Sequence, residues 1–338
     1  MRQSAALLAD SSVRLADLQF PWSREHIHRT RLAYIHVDNL LHFAKIDRDG
    51  RIDGYIAAWL PDELALLFLR RGELISAAAF TEAGREVLPI AVALDRMQGE
   101  LERGELCYCE APMEQLGWMY ESCAGALRGY PVRPDDPGGL FTALQQEQFT
   151  GVLELISDGR VSYFQFGDGQ YRSGYFTGRT SDEPVPAFVE AQFRAHADGT
   201  GPVLTARTFA LREEVPEQAS PALVETYRDL FWRIVEAGER QAPDEARRRA
   251  QKVRDALQGT HVALDAIGIA RDRKSVPLVV SPEQLTSALS GWALQLLEQL
   301  EVIVPGIAPE VLRDATREHR FVLQKAGFYA RLPWTVGW

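Results

Sequence analysis

Displacing the sequence against itself by 97 residues lays Gly54–Glu110 on Gly151–Arg207 without a gap. A duplicated stretch must build the same supersecondary unit twice, so this repeat constrains the fold more than any other feature of the chain. Gly54 meets Gly151, Gly72 meets Gly169, Pro89 meets Pro186 and Gly104 meets Gly201. Ser76, Glu86 and Val92 likewise meet Ser173, Glu183 and Val189. Identity is low, and the weight rests on the pattern between the matches. Tyr55–Trp59 and Val152–Ile156 are β-prone runs entered from a glycine, followed by Leu64–Leu69 and Val161–Phe166, then by Leu74–Phe80 and Tyr171–Phe176. Asp158-Gly159 and Asp168-Gly169 supply the turn chemistry of tight hairpins, while the first copy has Pro61-Asp62 and Gly72 at its two breaks. A helix starting near Pro89 or Pro186 and a closing strand, Leu106–Cys109 or Val203–Phe209, complete each unit. A short amphipathic helix precedes each, Val37–Ala44 and Gly139–Gln146, with about three residues' difference in the distance from helix to glycine.

The second copy carries a resemblance. Gly139-Leu140-Phe141-Thr142-Ala143-Leu144, then Thr150-Gly151-Val152-Leu153-Glu154-Leu155 and Tyr163-Phe164-Gln165-Phe166-Gly167-Asp168-Gly169-Gln170, look like the PATAN family, which pairs a leading helix with a Thr-Gly-Val-Leu-x-Leu strand and a Tyr-Phe-x-x-Gly-like hairpin. The first copy resembles a divergent member, with Asp53 where the second has Thr150 and Arg70–Gly72 in place of Gly167–Gly169. The resemblance spans Val37–Leu211. It implies a bacterial source and a protein-interaction or adaptor role beside receiver, kinase or motility regulators, and it carries over no catalytic residue.

After Val215 the chain has 16 basic and 16 acidic residues, so the whole net charge of −10 belongs to the part before it. An acidic surface repels polyanions, which argues against nucleic acid or anionic lipid as partners there. The dense basic run Arg247–Arg249 with Lys252 and Arg254 is interleaved with Asp244, Glu245 and Asp255, as on a solvated helix face. Three cysteines in 338 residues, no apolar run near the ~20 residues of a membrane span and no signal-peptide core together suggest a cytoplasmic protein without membrane insertion.

From Ser220 the apolar period becomes helical. Leu223, Tyr227, Leu230, Ile234 and Val235 form one stripe behind a Ser220-Pro221 cap. Further helices are expected at Asp244–Leu257, from His261 to about Ala270, behind the capping box Ser281-Pro282-Glu283-Gln284, and at Glu310–Lys325, with an extended segment at Val276–Val280. The tail holds Phe328, Tyr329, Trp334 and Trp338, an aromatic density that calls for docking on this domain or for a partner.

No motif for chemistry stands out. Lys45–Asp53 alternates acidic residues around Gly50, but Lys45 and Ile56 stand where a calcium loop needs its first Asp and its closing Glu. Cys107 and Cys109 share a side of their strand if it is regular, but with Cys123 they lack structural-zinc spacing and a fourth ligand, so they read as small buried hydrophobes. His26 and His28, with His36 and His42 nearby, lack a completing donor set. Asp314, Glu318 and His319 could share a helix face as an acid–base cluster, although a lone helix histidine is usually a packing or surface residue.

The expected fold class is α+β: two tandem α/β modules with small, mainly antiparallel sheets, followed by an all-α domain. The expected boundaries are an N-terminal extension 1–35, modules 36–112 and 138–212 around a helical linker 113–137, and a helical domain 213–338. The expected function is a non-enzymatic bacterial signalling adaptor, with no cofactor, no metal and no nucleic acid; the alternative is a small-molecule sensor with a pocket between modules or in the helical domain.

Overall fold

The computed structural model describes residues 14–46, 51–133, 135–194, 204–257, 259–267 and 278–337. The chain divides into two compact units between Val215 and Pro216, the second also taking in Pro89–Val92. The first copy contributes β1 (Arg24–Arg31), α1 (Val37–Ile46), β2 (Gly54–Trp59), β3 (Glu63–Arg70), β4 (Glu73–Thr81), β5 (Gly84–Leu88), α2 (Ile90–Gly99, in the first unit from Ala93) and β6 (Glu105–Glu110). After α3 (Met113–Ala124), the second copy contributes β7 (Arg128–Tyr130), α4 (Pro137–Gln146), β8 (Gly151–Ser157), β9 (Arg160–Gly167), β10 (Gln170–Phe176), α5 (Val185–Arg194) and β11 (Leu204–Phe209).

The sheets share one topology. Their strand orders are β1-β6-β2-β3-β4-β5 and, read from the equivalent end, β7-β11-β8-β9-β10. Pairing registers repeat too: Gly54↔Leu69 and Trp59↔Leu64 become Gly151↔Phe166 and Ile156↔Val161, each displaced by 97 residues. Even the irregularity between Phe68 and Leu69 has its counterpart between Tyr171 and Ser173. The tight turns use paired positive φ angles, at Arg71 and Gly72, Asp158 and Gly159, and Asp168 and Gly169, as two-residue hairpins of this twist require.

Two features of the repeat differ from the expectation of two gapless copies. First, the gapless match ends before the closing strand. Tyr55 pairs with Cys109 and Val152 with Phe209, so the displacement there is 100 residues; Gly201, matched to Gly104 at 97, lies outside the described residues. Second, each sheet gains an edge strand from upstream of the expected modules. Thr30↔Leu106 and Tyr130↔Ala206 are equivalent pairs, again 100 residues apart, and they draw segments of the expected extension and linker into the sheets.

Alternation assigns each strand residue to a face. One core forms between the sheets from Tyr55, Ala57, Trp59, Leu64, Leu66 and Phe68 on one side and Val152, Ile156, Val161, Tyr163 and Phe209 on the other. Within it α3 is buried from Gln115 to Cys123, with Tyr120 edge-on to Phe68 and Trp118 5.0 Å from Tyr175. The outward face of the second sheet (Leu153, Leu155, Phe164, Phe166) packs with Leu140 and Leu144 of α4 and with Phe188, Val189 and Phe193 of α5.

The second unit is helical: α6 (Pro221–Gln241), α7 (Pro243–Leu257), α8 (Val262–Ile267), α9 (Pro282–Glu301), α10 (Ile307–Thr316) and α11 (Arg320–Lys325). Trp292 of α9 stacks on Phe231 of α6 at 4.1 Å, with Leu285, Leu289, Leu296 and Leu300 buried on the same stripe. Both bonds of the Ser281/Gln284 capping box are made. The expected last helix is two: α10 starts at Ile307, with Pro309 in a first turn whose N–H groups have no intrahelical partner, and the chain turns at 317–319 before α11. Residues 268–277, which cover the end of the expected third helix and the start of the Val276–Val280 segment, lie outside the described residues.

Candidate functional site

Among the described residues the second sheet ends at β10, whereas in the first sheet the equivalent strand, β4, is covered by β5. The difference is written in the sequence. Val87, which pairs with Ala78, has Pro184 as its counterpart, and Pro186 follows. Prolines donate no ladder hydrogen bond, so this stretch forms the lead into α5 in place of a strand. Beside the open edge lies a groove of about 560 Å³ between α4 and α5, lined by Phe141, Phe164, Tyr171, Val185 and Val189, with Glu190 at its rim. Tyr171, on β10, is 43% exposed although its ring packs edge-on to Phe164 and Phe166. The signal for this site lies in the difference between the copies; within its own copy Tyr171 is ordinary strand sequence.

A second concavity of about 290 Å³ is lined by Phe20, Trp22, Glu25, Arg29, Tyr55, Trp59, Cys107, Cys109 and, from the second module, Thr177. The buried Tyr55 hydroxyl donates to the carbonyls of Phe20 and Pro21, and Trp59 Nε1 donates to the Leu18 carbonyl. Arg29 lies over the Trp59 ring at 4.2 Å. Cys107 and Cys109 do share a face, with their sulfurs 3.7 Å apart. Cys123 stands apart in α3, where burial pushes its thiol up to about 12.

Between the sheets, Arg85 of β5 makes two hydrogen bonds to Glu154 of β8, at 2.8 and 2.7 Å, with the two side chains 3% and 0% exposed. Arg85 also donates to the Ser122 carbonyl of α3 and lies over the Phe80 ring. Burial disfavours the guanidinium charge, but the Glu154 carboxylate outweighs it and holds Arg85 above its ordinary range. Arg207 stands opposite Glu154 in the β8–β11 register, and burial together with Arg85 pulls it below its own.

In the helical unit, Asp314, Glu318 and His319 do not assemble as an acid–base cluster. His319 Nε2 lies 2.9 Å from Asp229 of α6, Glu318 pairs with Arg233, and Asp314 pairs with Arg240. The open groove beside them is lined by charged side chains of both signs, Asp229, Arg233, Arg240, Asp314, Arg317 and Glu318 among them, and by Ala315, with no serine, threonine or cysteine among its described lining residues. Phe328 is fully buried against Tyr227, and Tyr329 and Trp334 are partly buried on the same core, so these rings pack within the unit; Trp338 lies outside the described residues. Arg247, Arg248 and Arg249 are bound to Glu239 and Glu245, as a solvated face would be. Residues 47–50 of the calcium-like loop are outside the described residues. His26 faces Glu110 and His28 faces Glu25. No described helix is long and apolar enough to cross a membrane.

No family model, no curated protein and no solved structure matches the chain.

Proposed function

We propose that the chain is a non-enzymatic, cytoplasmic bacterial signalling adaptor, as its PATAN-like motifs suggest, whose second module receives a segment of a protein partner. The open β10 edge beside an apolar groove, closed by β5 in the first copy, carries this reading. An extended segment would gain main-chain hydrogen bonds along β10 while alternate apolar side chains enter the groove beside Phe141 and Tyr171. The partner class is a receiver, kinase or motility regulator with a basic flank, since the part of the chain before Val215 has 31 acidic and 21 basic residues. Nucleic acid is disfavoured by the same charge.

The test is selection of peptides from a displayed library on the full chain, followed by affinity measurement on Tyr171→Asp and Phe141→Asp. Adaptor binding at this site predicts peptides with alternating apolar residues and basic flanks, and a loss of at least tenfold in affinity in either variant. Selected peptides that bind both variants as well as wild type would place recognition elsewhere, and failure to select any would count against the adaptor reading.

One observation favours a second reading, a small-molecule sensor: the concavity at Tyr55, Trp59 and Thr177 is built from both modules. Thermal shift against a metabolite panel tests it, with Trp59→Ala expected to abolish any stabilisation.

A further inference from the structure

Glu25, Cys107 and Cys109 present one ligand atom each within 4.8 Å of one another. We propose that they form a binding site for a thiophilic divalent cation of the zinc type, with its fourth coordination position open to the adjoining concavity. The inference is independent of the groove at β10.

Three features of the fold bring the ligands together. Cys107 and Cys109 are two apart on β6, so both point to the same face, and Tyr108 points to the other. On β1, Glu25 pairs with Cys109 and Ile27 with Tyr108, so the strand carries one extra residue, His26. This bulge puts Glu25 on the cysteine face while Ile27 turns to the opposite one, which is how bulges commonly re-aim side chains. Beyond the carboxylate, His28 Nδ1 lies 2.6 Å from Glu25 Oε2, the kind of outer contact that orients a ligating group.

The spacing suits the ion. Two thiolates bound to zinc at about 2.3 Å and a tetrahedral angle stand about 3.8 Å apart. The sulfurs here are 3.7 Å apart, so chelation needs no rearrangement of β6. Soft sulfur donors with one carboxylate select a d10 ion over magnesium or calcium, which prefer oxygen throughout. Three protein ligands leave one position for water or an exogenous donor, the arrangement of exchangeable rather than closed structural sites. The neighbouring concavity of about 290 Å³ has room for both. On binding, each thiol passes its proton to solvent as its sulfur–metal bond forms, so two protons leave per ion. Two thiolates and a carboxylate around a divalent ion carry one net negative charge, and the Arg29 guanidinium lines the same space. The second copy has Arg207 and Phe209 at the equivalent positions of β11, so the site belongs to the first copy alone.

The experiment uses the full chain, reduced with a phosphine under nitrogen and titrated with cadmium, whose thiolate charge-transfer absorption reports coordination directly. One cadmium per chain is expected, with release of two protons and loss of the absorption when zinc is added in excess. Cys107→Ser with Cys109→Ser should abolish the band, while Cys123→Ser should keep all of it. Because the double variant alters a buried face, Glu25→Gln gives a test at a more accessible position: unchanged thermal stability, with cadmium affinity lowered by at least the roughly tenfold that loss of an outer-sphere partner costs. No band at stoichiometric cadmium, a band that survives in the double variant, or wild-type affinity in Glu25→Gln would each overturn the assignment.

Discussion

Asp53 and Thr150 look like a divergence between the copies, yet they do the same work. The Arg71 N–H donates to Asp53 Oδ1 and the Asp168 N–H donates to Thr150 Oγ1, each tying a hairpin turn to the residue before the first strand. A carboxylate and a hydroxyl both accept a hydrogen bond, so function at this position survives a change that sequence comparison counts as a mismatch. Arg85 and Glu154 illustrate the opposite case, in which neither residue announces its partner, 69 positions away. Removing one member of a buried pair leaves an uncompensated charge, so Arg85→Met or Glu154→Gln should each cost about 3–5 kcal/mol, and the double apolar replacement much less. A double-mutant cycle by denaturant unfolding checks this; single variants as stable as wild type would mean the pair is not desolvated. Gly117 is also constrained, since a Cβ there would come within 2.4 Å of the Arg212 carbonyl oxygen. Gly117→Ala should therefore destabilise the first unit by about 1–3 kcal/mol through overpacking, despite alanine's better helix propensity.

At the scale of elements, α3 departs most from expectation. Its sequence, Met113–Ala124, has an ordinary helical pattern and falls in the expected helical linker between the modules. It is instead the filling between two sheets, with Trp118 on one side and Tyr120 toward the other. In the helical unit, α6 is held to the α10–α11 turn by Asp229, which accepts from Arg233 and faces His319. Burial alone would raise the Asp229 pKa, but the hydrogen bonds with His319 and Arg233 outweigh it and hold the carboxyl below its ordinary range. A depressed folded-state value means stabilisation that is fully present above the unfolded value, about 3.9, and lost as the pH falls through the folded one. Asp229→Asn should thus lower stability at neutral pH and flatten the loss below about pH 4. Urea unfolding across that range reads it out, and parallel wild-type and variant curves would refute it.

At the scale of the molecule, the cores define what can fold alone. Every buried residue of the helical core lies between Ala219 and Leu332, so residues 216–338 expressed alone should be helical and unfold cooperatively by circular dichroism. The core between the two sheets draws on β2, β3 and β4, on α3 and on β8 and β9 together. Deleting residues 14–112 should therefore strip the first sheet's share of the cover from Val152, Ile156, Val161 and Tyr163 and leave only α3 there, and hydrogen exchange should find β8 and β9 less protected in that fragment than in the full chain. Protection equal to that in the full chain would show that the modules are separable.

The fourth strand of the first copy, β5, is not legible in the sequence, whereas the duplication, the positive-φ turns, the three hairpin-linked strands, the helix and the closing strand common to both copies, the change to helical period near Ser220 and the confinement of the net charge to the part before it all are. These are local: each is set by neighbours a few residues away or by repetition at a fixed distance. Tertiary structure alone decided which upstream strands close the sheets, that α3 is buried, that Arg85 finds Glu154, that Phe328 fills its own core and that Glu25 comes to rest beside Cys107 and Cys109. Each of those depends on segments far apart in sequence meeting, through strand pairing, side-chain packing or an ion pair, or on a single-residue bulge that changes which face a side chain occupies, and the periodicity within one segment does not name its distant partner.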